Sequence, residues 1–202
     1  ISLATVYESR TVAELAGEDE TAIRTEQGLL APPIRRATSG ENWSLSFAQE
    51  RLWFIDQLEP DSPFYNCPGA IRLTGSVNFG ALEQTLNEVV RRHEVLRSTF
   101  STVEGEPVQN VIPFEPFALP LIDLSALPEQ AREEEVRCLV KAEAQRPFDL
   151  AHGPVLRVEL IRLAADQHIL LFTTHHIVSD GWSMGILVGE VSALYNAFSK
   201  GE

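Results

Sequence analysis

Residues 175–181 read His-His-Ile-Val-Ser-Asp-Gly, placing two imidazoles, a carboxylate and a hydroxyl within seven positions. They stand between a strongly apolar run and a helix-like run, a junction where loops present polar groups to a cleft. Three readings of this cluster compete. In the first it is only a strand–turn–helix joint: Asp180 or Ser183 caps the helix, Gly181 supplies an unusual backbone angle, and the histidines fill space. In the second, two His and one Asp hold a metal ion. Alternation along a strand opposes that, because His175 and His176 would point to opposite faces. In the third, the same divergence turns His175 inward as a structural group and His176 outward as a catalytic one. An imidazole titrates near neutrality, so it can accept, donate or share a proton with a reacting amine or hydroxyl.

A carboxylate beside such a histidine could be held by a cation. On a helical projection of residues 82–97, Leu82, Leu86, Val89, His93 and Leu96 share a sector, Arg97 falls inside it and Arg92 lies at its edge. An Arg directed to an apolar face needs a carboxylate partner. Asp180 is the candidate, through Arg92 or Arg97. The alternative is that the helix ends before Arg97 and the side chain is solvated.

The elements that must position these groups alternate along the chain. Ser44–Leu58 reads as a helix with Phe47, Leu52, Ile55 and Leu58 as its apolar positions, and Ala70–Thr74 reads as a strand. Residues 81–96 have the clearest helical spacing, and a strand follows near Val108–Ile112. Pro128–Arg146 reads as a charged helix with its Pro at the start, and its Glu133-Glu134-Glu135 as a solvated face. Strands 155–163 and 168–176, separated by one short turn, are expected to be antiparallel. A last helix spans Ser183–Ser199 with Ile186, Leu187, Val191, Leu194, Tyr195 and Phe198 on its apolar side. The sum is an α/β or α+β sandwich, a mixed sheet with helices packed on it. Upstream, residues 3–16 carry a short helical pattern, and residues 17–42, acidic and then Pro- and Ser-containing, read as a linker.

Composition narrows the function classes. The 202 residues carry 16 Lys and Arg against 29 Asp and Glu, a formal net charge of −13. That balance argues against a nucleic-acid or anionic-membrane surface. The longest apolar runs, such as Ile169–Phe172, are far too short to span a bilayer, and the N-terminus does not resemble a signal peptide. The two cysteines, Cys67 and Cys138, match no zinc or CxxC spacing; they read as buried thiols in a reducing cytoplasm. His152 reads as a turn residue, and Trp43, Trp53 and Trp182 as core or interface bulk. The chain opens on Ile1 rather than Met, so it is expected to be a segment of something longer.

Four segments together carry a family resemblance. HHIVSDGWS at 175–183 resembles the HHxxxDG signature of non-ribosomal peptide synthetase condensation domains. LSFAQERLWFIDQLEPDSPFYN at 45–66 resembles their opening motif, RRHEVLRSTF at 91–100 their second, and FDLAHGPVLR at 148–157 a further family stretch. All four occur in the family's order. ISLATVYESRTVAELA at 1–16 is similar to the closing helices of a peptidyl-carrier domain.

This resemblance implies residues 43–202 as the N-terminal lobe of a chloramphenicol-acetyltransferase-like fold, with a second lobe outside this chain. It implies amide formation between a donor aminoacyl or peptidyl thioester and an acceptor amine, in a tunnel between the lobes. Both substrates would ride on phosphopantetheine arms of upstream and downstream carrier domains, with an adenylation domain in the same synthetase and no cofactor or metal bound directly. By the same resemblance His176 is the catalytic histidine, His175, Asp180 and Gly181 shape its loop, and Arg92 or Arg97 holds Asp180. Heterocyclisation relatives carry aspartates where His175 and His176 stand here. Epimerisation relatives keep the histidines, but DGWS and SFAQERLW look more like a condensation domain, of the subtype accepting an L-configured donor. A coenzyme A-dependent acyltransferase is the other enzyme reading. A docking fragment is the non-enzymatic one, with an apolar face left exposed that invites self-association.

Overall fold

A computed structural model describes residues 11–14 and 43–202. The chain divides into two compact units, Ile1–Gly40 and Glu41–Glu202. In the first, residues 12–14 are helical, and Thr11 and Glu14 exchange side-chain-to-backbone hydrogen bonds of 3.1 and 3.2 Å, a capping box. The linker reading of 17–42, and the rest of the helical pattern in 3–16, lie outside the described residues.

In the second unit the elements run β1 (Trp43–Ser44), α1 (Phe47–Leu58), β2 (Asn66–Thr74), α2 (Phe79–Arg92), a 3₁₀ turn (Glu94–Arg97), β3 (Ser98–Val103) and β4 (Glu106–Val111). They continue with β5 (Leu121–Asp123), α3 (Glu129–Gln145), β6 (Leu156–Ala164), β7 (Gln167–His175) and α4 (Gly181–Lys200). The single mixed sheet expected from sequence is two sheets. One has the order β1-β4-β3, the other β2-β7-β6-β5, with only β5–β6 parallel. In the smaller sheet the β3–β4 hairpin turns on Glu104 and Gly105, both at positive φ, as a two-residue turn between twisted strands demands.

The larger sheet is covered on both sides, which is why the centre of β7, Ile169–Phe172, is a continuous apolar run, while β6 interleaves Arg157, Glu159 and Arg162 with its apolar residues. Val158, Leu160 and Leu170 face α2 and α4, meeting Leu82 and Leu86. Ile161, Leu163, Ile169 and Leu171 face Val136, Leu139 and Val140 of α3. Helix α2 starts where Asn78 accepts the Ala81 N–H at 3.1 Å, and it buries Leu82, Thr85, Leu86 and Val89 at helical spacing.

Several expectations need correction. The helix predicted over 81–96 ends at Arg92, and His93 opens a 3₁₀ turn in its place. On α1 only Leu52 is buried; Phe47 and Leu58 are exposed. Ser46 caps this helix through Gln49, and the face turned inward is the one that lets Leu52 join Leu45. Cys138 is exposed and Cys67 half-buried, so neither is the core thiol expected. Among the described residues no helix is long and apolar enough to cross a membrane.

Candidate active site

His175 ends β7, residues 176–180 form the turn, and Gly181 starts α4. The turn is held from below. Ile177 and Val178 are buried in a cluster with Leu45, Leu52, Phe100 and Val155, so the loop is anchored by its two apolar residues. Backbone hydrogen bonds fasten its start: His175 N–H donates to the Val155 carbonyl at 3.1 Å, and His176 N–H to the Tyr65 carbonyl at 2.9 Å. Gln49, the residue that completes the α1 cap, points its side-chain amide at the Ile177 carbonyl at 3.5 Å.

The two imidazoles have opposite environments, although β7 ends at His175 and His176 already belongs to the turn. His175 is 3% exposed, lying between the rings of Tyr65 and Phe148 at centroid distances of 6.4 and 5.9 Å. Its Nδ1 accepts the Ile177 N–H at 3.1 Å, so the neutral ring carries its proton on Nε2. Burial, and then the neighbouring His176, push its pKa down to about 4, so it stays neutral at physiological pH. His176 is exposed, and its Nδ1 lies 2.6 Å from the Ser179 carbonyl oxygen. A carbonyl can only accept, so Nδ1 of His176 bears the proton and, in the neutral ring, Nε2 keeps a free lone pair.

Ser179 was not singled out by sequence reasoning, yet it organises the turn. Its buried hydroxyl meets the Thr174 hydroxyl at 2.5 Å and reaches the His175 carbonyl at 3.4 Å. The signal for it lay inside the motif, as the one small hydroxyl among apolar positions.

Asp180 is the N-cap of α4. Its Oδ1 accepts the Ser183 N–H at 2.8 Å and the Ser183 hydroxyl at 2.6 Å, and the Ser183 hydroxyl is the main cause holding its carboxyl below the usual range. Neither arginine proposed as its partner reaches it here. Arg92 sits on Glu88 one turn back, with Nε 2.5 Å from Oε1. Hydrogen bonds from Arg91, then Arg92, hold the Glu88 carboxyl down to about 2. Arg97, carried off the α2 face by the 3₁₀ turn, donates to the carbonyls of Val90 and Ile112 at 3.1 and 2.5 Å. In this structure each guanidinium has nearer acceptors, and Asp180 caps its own helix. Gly181 also departs from expectation: its φ is not positive, and a Cβ there would meet nothing within 4 Å.

His93 was read as part of an apolar helical face. It is instead the C-cap of α2, and its Nε2 lies 2.7 Å from Glu190 Oε2, tying α2 to α4. A cavity of about 200 Å³ beside the loop is lined by His93, Leu96, Thr174, Ser179, Ser183 and Met184, among others. The two larger cavities, about 510 and 360 Å³, lie elsewhere, and His176 lines neither of them.

Residues 40–202 match the family model described as Condensation domain. The whole chain is 42% identical over 202 residues to a linear gramicidin synthase protein of Brevibacillus parabrevis, of which it spans 3%. The starter condensation domain of rhizomide synthetase aligns with a TM-score of 0.74 at 26% identity, over 80% of this chain and 39% of that one. The first condensation domain of the calcium-dependent antibiotic synthetase, solved with a substrate analogue, aligns with a TM-score of 0.73 at 27% identity, over 81% and 39%. The chain therefore spans well under half of these relatives.

Proposed function

The chain belongs to the condensation-domain family of non-ribosomal peptide synthetases, with its chloramphenicol-acetyltransferase-like fold, and on that premise we propose that it supplies the N-terminal lobe of an amide-forming site. The donor is an aminoacyl or peptidyl thioester and the acceptor the amine of a second aminoacyl thioester, each presented by a carrier domain. The amine nitrogen attacks the thioester carbonyl carbon, a tetrahedral oxyanion forms, the C–S bond breaks as the carbonyl re-forms, and the proton lost by the nitrogen ends on the departing sulfur, leaving the donor's thiol and a new amide.

The single observation that carries this reading is the Nδ1–H donated by His176 to Ser179, because it turns a bare Nε2 outward. That nitrogen accepts a hydrogen bond from the attacking amine and orients its lone pair on the carbonyl. An aminoacyl thioester is already activated, so orientation and oxyanion stabilisation outweigh proton abstraction as the work of the site. His175 contributes no proton; it supports the loop. In this reading residues 1–16 close a preceding carrier domain, 17–42 link it to the lobe, and the synthetase works in the cytoplasm. The lobe alone turns nothing over.

The test is amide formation from aminoacyl carrier proteins by the chain extended through its second lobe, with and without His176→Ala. Loss of dipeptidyl thioester by about a hundredfold, with circular dichroism unchanged, supports the reading; equal product from both proteins refutes it.

A further inference from the structure

The FDLAHGPVLR stretch has no part in the chemistry above, yet its first and last residues touch. Arg157 lies with its guanidinium carbon 3.7 Å from the centre of the Phe148 ring. The same guanidinium makes a nearly dry ion pair, Nε to Glu143 Oε1 at 2.6 Å, with side chains 11% and 9% exposed. A buried pair repays its desolvation only when the remaining donors are also used. Here they are: Arg157 donates to the carbonyls of Arg146 and Pro147 at 2.7 and 3.2 Å. Closing the end of α3 accounts for those carbonyl bonds, but it does not require an aromatic ring against the guanidinium.

The other neighbour of that ring is the site. Phe148, itself buried, meets His175 edge to face at 5.9 Å and 81°. His175 in turn accepts the N–H of the peptide that joins His176 to Ile177. A continuous set of contacts therefore runs Glu143, Arg157, Phe148, His175, and then the backbone of His176.

We propose that Phe148, clamped by the Arg157–Glu143 pair, is a positioning residue for His176, holding the His175 ring so that the His176 peptide stays in one orientation. This rests on the reading of His176 as the group that meets the amine. The ring contact stabilises a cation on one side and packs an imidazole on the other, so an aliphatic side chain of similar volume cannot replace it.

The experiment uses the chain extended through its second lobe, with Phe148→Leu and the double variant Glu143→Gln/Arg157→Met, which removes both charges together. Histidine side-chain ¹⁵N spectra report the tautomers without any turnover, and dipeptide formation gives kcat and KM. In the parent, His175 shows a bare Nδ1 and His176 a protonated Nδ1. In both variants these single-tautomer signatures are expected to become mixed, with kcat down about tenfold and KM within about twofold. Unchanged spectra in both variants, or mixed spectra with unchanged kcat, overturn the proposal. Loss of folded protein in both overturns it in favour of a purely structural role. If His176→Ala kept full product, the role of His176 would fall on its own, and the clamp would still be judged by the two spectra.

Discussion

His176 Nδ1 and the Ser179 carbonyl oxygen are 2.6 Å apart across a turn of three residues, and this one hydrogen bond decides which nitrogen of the ring looks outward. The bond exists because Ser179 is itself fixed, through its hydroxyl, to Thr174 at the end of β7.

Removing one hydroxyl of that pair should therefore act at a distance. Ser179→Ala leaves the buried Thr174 hydroxyl without this partner and is expected to destabilise the lobe by about 1–3 kcal/mol. Thr174→Val is expected to cost less, since Ser179 keeps the His175 carbonyl. Urea unfolding of the two single variants and the double variant should show strong non-additivity.

His175 makes the stability of the fold depend on pH. The unfolded chain binds a proton at the ordinary imidazole pKa, near 6.5, whereas the folded chain holds off until about 4. Stability is thus full above pH 6.5, falls as pH drops toward 4, and loses nothing further from this group below that. His175→Asn, which keeps an acceptor for the Ile177 N–H, is expected to flatten the slope in that window, measured by denaturation midpoints from pH 7.5 to 4.5.

Asp180 offers a direct choice between a cap and an ion pair. As a cap, Asp180→Asn should hold the unfolding midpoint nearly unchanged while Asp180→Ala lowers it, because Asn caps as well as Asp and Ala does not. Arg92→Gln and Arg97→Gln should then change stability independently of Asp180, which the corresponding double variants would check.

Gly181→Ala separates fold from chemistry. Its φ is ordinary and the space beside it is empty, so Ala is expected to raise stability by about 0.4–1 kcal/mol. A simultaneous drop in dipeptide formation would mean that substrate occupies the space a methyl fills; unchanged turnover would exclude close approach there.

Legibility in the sequence followed the strength of local pattern. Residues 81–92 announced a helix because Leu82, Leu86 and Val89 are spaced for one face, β7 announced itself by the apolar run Ile169–Phe172, and β6 by apolar residues interleaved with Arg157, Glu159 and Arg162 one short turn before it. The His loop stood out as polar residues between such elements. Arg97 was misplaced because the change from α to 3₁₀ geometry at His93 rotates every later side chain relative to a projection at 100° per residue. The strand Ser98–Val103, and with it the second sheet, was invisible since its two apolar residues, Phe100 and Val103, stand three apart among Ser and Thr and so show no period-2 pattern. Contacts such as Phe148 with His175 join residues 27 positions apart by packing alone, and no periodicity records them.

Helix α4 has 20 residues and not one of them is fully buried, while Trp182 is 82% exposed. Val191 and Tyr195 pack half-buried against the core of the larger sheet, whereas the exposed positions of α4 are free to mutate without unfolding the chain that carries them. Any intolerance to substitution at Trp182, Ile186 or Val188 in a working synthetase must then originate in what those residues meet during function. A substitution scan of α4, read once for folding and once for turnover, would separate the two pressures position by position.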